Sequence, residues 1–312
     1  MKLRGIDFGN VLGGSGVQGF FGEGYWYHRV TKHVGGSFDG ITFVAKTATL
    51  EPQGGNLPLK DNFRPKGLLP RAIRVKFRKG SVLNAISLSN PGLEALLRAG
   101  EWQKRTEPFF ISVMTISEKP DQEMKKMVEL IERYRGGFKA PFGIQINVSC
   151  PNSDCSLYKL YQYLEDVLEI AGKLHVPLMV KFGLEPDPTD IIMDLEENPY
   201  CDALCMINSI PFGSSLVDWQ EAWGSDVSPL AKYGGGSLSG KPLFPLAVEM
   251  VGVARSLGFT KPINLGGGIL CPEDVDLAYY AGASSVYISS AAILRFWRVQ
   301  KIVRQANSPI LI

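Results

Sequence analysis

The chain has 312 residues, enough for one large α/β barrel or two ordinary domains. Apolar residues make up 45% of it, and 33 Lys plus Arg nearly balance 31 Asp plus Glu, so the totals favour neither nucleic acid nor an anionic membrane as partner. There is no apolar run of membrane-spanning length and no signal-like apolar core at the N-terminus. The five cysteines include no C-x-x-C pair, which argues against a disulfide scaffold or a metal cluster and for a cytoplasmic protein.

Residues 1–24 are rich in glycine. Gly14-Ser15-Gly16-Val17-Gln18-Gly19 fits the dinucleotide pattern G-x-G-x-x-G, with Asp39 about 20 residues on. That pattern requires a helix to open at the glycines, and Phe20-Phe21-Gly22-Glu23-Gly24 is a poor helix start. A backbone that lets a flat ligand approach closely accounts for the glycines better. A weak first strand falls near Val11–Leu12. Ile41–Lys46 reads as a buried strand ending in a lysine. Residues 47–108 form a long connection, the mark of a lid or binding segment. Near its end comes Leu83-Asn84-Ala85-Ile86-Ser87-Leu88-Ser89-Asn90-Pro91-Gly92, before a short helix to about Arg98.

Strands and helices then alternate. Strands are expected at Phe109–Met114, from Ile144, and at Pro177–Phe182, Ala203–Ile207, Pro262–Leu265 and Ser285–Ser289. Helices are expected over 121–134, 157–174, 189–197, 242–257, 272–281 and 291–305. In the first of these Met124, Met127, Val128 and Ile131 share one face, a core stripe. The Gly/Ser/Pro-rich stretch 209–240 reads as an elaborated loop. Eight strands interleaved with helices predict a single domain, 1–312, folded as a (β/α)8 TIM barrel with an elaborated loop after strand 2.

Barrel active sites are built at the carboxyl ends of the strands. Asn147, Cys150 and Asn152 lie where Ile144-Gln145-Ile146-Asn147-Val148-Ser149-Cys150-Pro151-Asn152 breaks, because Pro151 has no N–H for the ladder. Lys46, Lys181, Asn208, Ser209, Gly266–Gly268 and Ser289-Ser290 occupy corresponding ends, and Asn84 joins from the long connection. Four asparagines, two lysines and a cysteine converging there are hard to explain by packing. Asparagines bring donors and acceptors, and a thiol can move a proton. Gly267, Gly268, Ser289 and Ser290 follow the last two strands, where barrels bind phosphate. Gly235-Gly236-Ser237-Leu238-Ser239-Gly240-Lys241-Pro242 misses the nucleotide-binding G-x-x-x-x-G-K-[ST] by its proline. Lys181 suits a Schiff-base lysine or a fixed charge beside a flavin.

The pattern Asn147-Val148-Ser149-Cys150-Pro151-Asn152 resembles the active-site loop of the soluble (class 1) dihydroorotate dehydrogenases, FMN enzymes on a (β/α)8 barrel. The likeness runs from about residue 8 to residue 300. It takes in Lys46-Thr47-Ala48-Thr49-Leu50-Glu51-Pro52, Leu83-Asn84-Ala85-Ile86, Asn208-Ser209 and Gly236-Ser237-Leu238-Ser239-Gly240. It implies oxidation of dihydroorotate to orotate, with Cys150 as base and hydride transfer to flavin N5. Lys46, Asn84, Asn147, Asn152, Asn208 and Ser209 become substrate contacts. FMN falls to Ser15, Gly16, Lys46, Thr47, Asn147, Lys181, Asn208, Ser239, Gly240, Gly267, Gly268, Ser289 and Ser290. The soluble branch holds homodimers that reduce fumarate and enzymes that pass electrons to NAD through an iron–sulfur flavoprotein subunit. This chain has features of both. Gln53, Leu57 and Lys60 replace the family's usual Arg, Pro and Arg, and Ser87 and Ser289 each stand for a glycine. Two further readings stay open: a flavin oxidoreductase for another dihydropyrimidine, and a non-catalytic flavin- or phosphate-binding barrel.

Overall fold

The computed structural model describes residues 1–68, 70–148, 161–185 and 187–309. Seven strands form one parallel sheet: β3 (Val11–Gly13), β6 (Phe109–Val113), β7 (Phe142–Asn147), β8 (Leu178–Lys181), β9 (Ala203–Met206), β12 (Ile263–Leu265) and β13 (Ser285–Ile288). Their order is β3-β13-β12-β9-β8-β7-β6. The gap between β3 and β6 is spanned by the segment expected as the second strand. There the Thr42 N–H donates to the Val11 carbonyl (2.9 Å), and the Phe110 N–H to the Phe43 carbonyl (3.0 Å). The segment pairs through isolated bridges at Thr42, Val44 and Ala48, not as a regular ladder. The ring therefore closes in chain order, as the alternating pattern predicted.

The two-residue pleat sorts the side chains. One cluster fills the lumen: Leu12, Val44, Phe110, Met179, Ala203, Cys205 and Tyr287, with Met1, Leu3 and Phe8. The last three belong to or flank an N-terminal hairpin, β1 (Lys2–Leu3) and β2 (Ile6–Asp7), which plugs the amino end of the barrel. The neighbours in each strand, such as Ile111, Ile144, Val180 and Leu204, face the surrounding helices. The helix Pro120–Arg135 buries Met124, Met127, Val128 and Ile131, the stripe read from the sequence. Glu123 in its first turn accepts the N–H groups of Ile116 (2.8 Å) and Ser117 (2.7 Å), which fixes the loop that enters it.

Three expectations need correction. The stretches 47–108 and 209–240 are not plain loops. They supply β4 (Ile73–Lys76), β5 (Ser81–Asn84), β10 (Ile210–Pro211) and β11 (Ser237–Gly240), a second, antiparallel sheet in the order β10-β11-β5-β4. Glycine-rich β11 carries no period-two signal of its own, so its strand form depends on pairing Leu238 with Leu83 and Ser237 with Asn84. The helix expected over 291–305 is broken into Ser290–Leu294, a 3-10 turn at Phe296–Arg298, and Val299–Ala306. Lys241, set aside above from a nucleotide-binding loop, is structural. Its ammonium meets the buried Asp274 carboxylate at 2.6 Å, tying the end of β11 to the helix Pro272–Tyr280.

Phe110 is fully buried at the bottom of the lumen, with its ring centroid 4.3 Å from that of Phe8. Phe110→Ala should cost about 3–5 kcal/mol, the range for emptying a rigid core site. Urea unfolding should show a lower midpoint with an unchanged slope. A midpoint within error of the parent would mean that the hairpin does not plug the barrel tightly.

Candidate active site

The carboxyl ends of the strands open into a cavity of about 860 Å³. After β3 it is lined by Ser15 and Gly16, and after the bridged segment by Lys46 and Thr47. Asn147 ends β7 and Lys181 ends β8, while Asn208 and Ser209 follow β9. Gly267 and Gly268 follow β12, and Ser289 and Ser290 follow β13. The second sheet roofs the cavity, bringing in Asn84 and Ser239. Fourteen residues singled out from the sequence thus share one space. Gly240 does not line it; it stands behind Gly268, whose added Cβ would lie 2.5 Å from the Gly240 carbonyl. Cys150 and Asn152 lie outside the described residues.

Side chains on the floor are joined by hydrogen bonds. The Ser15 hydroxyl donates to the Ala45 carbonyl (2.9 Å) and lies 2.9 Å from Thr47 Oγ1. Thr47 Oγ1 lies 2.9 Å from Ser112 Oγ and accepts from Asn147 Nδ2 at 3.5 Å. Asn208 Nδ2 donates to Asn147 Oδ1 at 3.4 Å. The carboxamide of Asn147 is therefore held at both ends, which orients its polar atoms. Lys181 is buried, with its ammonium 5.9 Å from the centre of the Tyr287 ring. The Tyr287 hydroxyl donates to the Ile207 carbonyl, and burial drives its pKa well above the usual tyrosine value. One step below, burial pushes the Cys205 thiol up to about 12, against the pull of Lys181. Cys201 is raised to about 12 by burial and Cys271 to about 11, so these three are held as thiols.

Four cations, Lys46, Arg71, Arg74 and Lys181, line the cavity, and no Asp or Glu does among the described residues. Such a wall selects anions. Gly267 (φ +86°) and Gly268 (φ +123°) adopt a backbone that L side chains rarely take. A Cβ on Gly267 would lie 2.8 Å from Ile207. Together with the Ser289 and Ser290 hydroxyls this is a cradle suited to a phosphate, as an FMN would bring. Ser87, at the family's glycine position, has φ +62°, which is why glycine suits that position.

The sequence reading missed several lining residues. Arg71, Ile73 and Arg74 lay in an apparent loop with no distinguishing pattern. Tyr287 could have been found by stepping two residues back from Ser289. Tyr25-Trp26-Tyr27 is an aromatic triplet directly after the glycines, a signal that could have marked these lining residues.

This barrel, with a polar cavity built at its strand ends, is that of an oxidoreductase acting on a CH–CH group. More particularly, the chain belongs to the dihydroorotate dehydrogenase family, whose sequence model matches residues 1–309. The family is flavin-dependent in general. The chain is 29% identical over 326 residues to the catalytic subunit of dihydroorotate dehydrogenase B (NAD(+)) of Geobacillus sp. (strain WCH70), covering 100% of this chain and 90% of that one. It is 31% identical over 304 residues to the corresponding subunit of Geobacillus kaustophilus, covering 93% and 84%. In fold it is similar to the dihydroorotate dehydrogenase of Eimeria tenella crystallised with ferulenol, with a TM-score of 0.70 at 19% identity, covering 99% of this chain and 85% of that one.

The aromatic triplet is anchored by His28. Its Nδ1 accepts the Tyr25 N–H at 3.1 Å, and its ring meets Tyr27 edge-on with centroids 4.4 Å apart. Burial pushes its pKa from 6.5 down to about 4. A depressed folded pKa means that the unfolded chain takes the proton first as pH falls. The stabilisation from neutral His28 is complete above pH 6.5 and is lost between there and about 4. The full shift corresponds to roughly 3 kcal/mol. His28→Phe should flatten the fall in unfolding free energy between pH 6.5 and 4, measured by denaturant titration. An unchanged slope would assign that fall to other groups.

Proposed function

We propose that the chain is a single FMN-binding barrel domain that oxidises dihydroorotate to orotate, the reaction by which its family serves pyrimidine biosynthesis. The observation that carries this reading is the convergence of Lys46, Asn84, Asn147, Lys181, Asn208 and the two phosphate turns on one cavity without a carboxylate among its described lining residues. Bound FMN would supply the acceptor for a hydride from C6 of the substrate. Ser289, Ser290, Gly267 and Gly268 would hold its phosphate, with Ser15, Gly16, Ser239 and the supporting Gly240 at the surrounding turns. Lys181 keeps a fixed positive charge on the floor, the electrostatic help that a reduced flavin needs.

Asn84, Asn147, Asn152, Asn208 and Ser209 would bind the substrate ring, and Lys46 its carboxylate. The links from Ser15 through Thr47 to Asn147 orient the floor carboxamide before substrate arrives. Cys150 would take the proton from C5. In support, none of Cys201, Cys205 and Cys271 lines the cavity, and each is held as a thiol. The experiment is anaerobic addition of dihydroorotate to the yellow protein, which should bleach it. Bleaching by other dihydropyrimidines alone would move the reading to another substrate, and bleaching by none would leave a binding protein. Cys150→Ala should keep flavin and slow its reduction by about 10²-fold or more, with Cys155→Ala as control. A larger effect from Cys155→Ala would remove Cys150 from the role. Cys150→Ser should retain partial activity that improves at high pH.

The Geobacillus relatives are catalytic subunits of NAD(+)-linked enzymes, which supports a partner subunit beside a homodimer of this chain; the resemblance makes that partner an iron–sulfur flavoprotein. Among the described residues no group of three His, Cys, Asp or Glu could hold a metal ion. The sequence also offers no credible dinucleotide fingerprint, so the reduced isolated chain should be reoxidised by fumarate or a quinone-like dye and not by NAD, followed by stopped-flow flavin absorbance. Rapid reoxidation by NAD without a partner would contradict this.

A further inference from the structure

Two glycines at the level of the cavity floor are not explained by their own backbone. Gly14 follows β3 and Gly266 follows β12. Neither has the positive φ that Gly267 and Gly268 take. The Gly266 N–H donates to the Met206 carbonyl (2.6 Å), continuing the ladder as any residue could. Glycine weakens a strand, because it packs nothing and loses more freedom on folding. A demand for space accounts for both positions.

The space belongs to the ring of Tyr287. Leu265 pairs with Val286 on one side and with Met206 on the other, so Gly266 stands in the row between Tyr287 and Ile207. The phenol lies across Gly266 to reach the Ile207 carbonyl, to which its hydroxyl donates. A Cβ on Gly266 would overlap Cε1, Cζ and Cε2 of that ring. A Cβ on Gly14 would stand 3.2 Å from its Cδ2, tighter than ordinary contact. The two glycines open a slot, and the buried Tyr287 fills it.

The slot aims the hydroxyl at one particular peptide. The Ile207 carbonyl and the Asn208 N–H belong to a single planar unit. The carbonyl accepts from Tyr287, and the N–H donates to the Phe182 carbonyl (3.0 Å). A plane held at both of its polar groups cannot turn without breaking one of those bonds. The side chain that follows it is Asn208, whose Nδ2 donates to Asn147 Oδ1 (3.4 Å). Burial keeps the phenol protonated, so the donor does not change with pH near neutrality. We propose that Tyr287 is a positioning residue: seated in the slot opened by Gly14 and Gly266, it fixes the Ile207–Asn208 peptide and thereby the carboxamide that meets the substrate ring. Asn208 meets that ring on the reading proposed above, on which this role rests.

The test removes the hydroxyl and keeps the ring. Tyr287→Phe should weaken orotate binding to the oxidised holoenzyme about ten-fold, read from the shift of the flavin spectrum, the scale of one hydrogen bond. In an Asn208→Ala background the same change should add nothing, since Tyr287 acts through Asn208. Amide exchange at Asn208, followed by mass spectrometry with no substrate or product added, should quicken about ten-fold in Tyr287→Phe. Gly266→Ala should quicken it too, but not in a Tyr287→Leu background, where no ring needs the slot. Parental exchange at Asn208 in Tyr287→Phe overturns the proposal. So do additive effects of Tyr287→Phe and Asn208→Ala on orotate, or an effect of Gly266→Ala that is equal in both backgrounds. A parent whose flavin spectrum ignores orotate would instead sink the substrate assignment, and exchange at Asn208 would still decide the role of Tyr287.

Discussion

The constraint on which the rest of this structure depends is the two-residue pleat of a closed parallel sheet. Along each strand alternate side chains enter the lumen, and the lumen is too narrow to hold anything but those side chains. Its lower levels are filled by Leu12, Val44, Phe110, Met179 and Ala203, which make it solid. The next inward positions, two residues further along, are Lys46, Asn147, Lys181 and Ser289. Polar groups at that level meet the cavity above and an apolar layer below. The solid lower core holds them in place, and the change from apolar to polar along a strand marks the floor of the site.

That floor contains a buried lysine, which is costly unless its charge is answered. Part of the answer is the Tyr287 ring beneath it, and Tyr287 is in turn held by its bond to the Ile207 carbonyl. The hydroxyls of Ser15, Thr47 and Ser112 link three neighbouring strand ends and leave Asn147 and Asn208 oriented as a pair. A pocket of this kind is electrostatically one-sided. With four cations and no carboxylate among the described lining residues, it favours anions before any specific contact is considered.

The roof follows a different logic. Its strands come from residues 73–76, 81–84, 210–211 and 237–240, stretches whose local composition reads as loop. Each strand is short, and β11 contains two serines and a glycine in four residues. Only pairing across the chain makes them a sheet, because a ladder satisfies backbone groups that such a sequence would leave to water. The same assembly brings Arg74 of β4, with Arg71 just before the strand, to the cavity.

The sequence by itself determined the barrel and most of its floor. Strand alternation, helix periodicity and turn residues are local signals, so Lys46, Asn147, Lys181, Asn208, Gly267, Gly268, Ser289 and Ser290 could be placed at strand ends from their neighbours alone. Cys150 and Asn152 were assigned in the same way, and they lie outside the described residues. Tertiary structure alone decided that residues 42–48 join the ring through isolated bridges in place of a regular ladder, the roofing sheet, and the supporting position of Gly240 behind the cradle. It also decided where charge accumulates. A net of +2 is a sum over positions, and it carries no information about which cations the fold brings side by side. Adjacency between segments more than 200 residues apart, such as Phe77 and Arg295, is a property of the assembled chain.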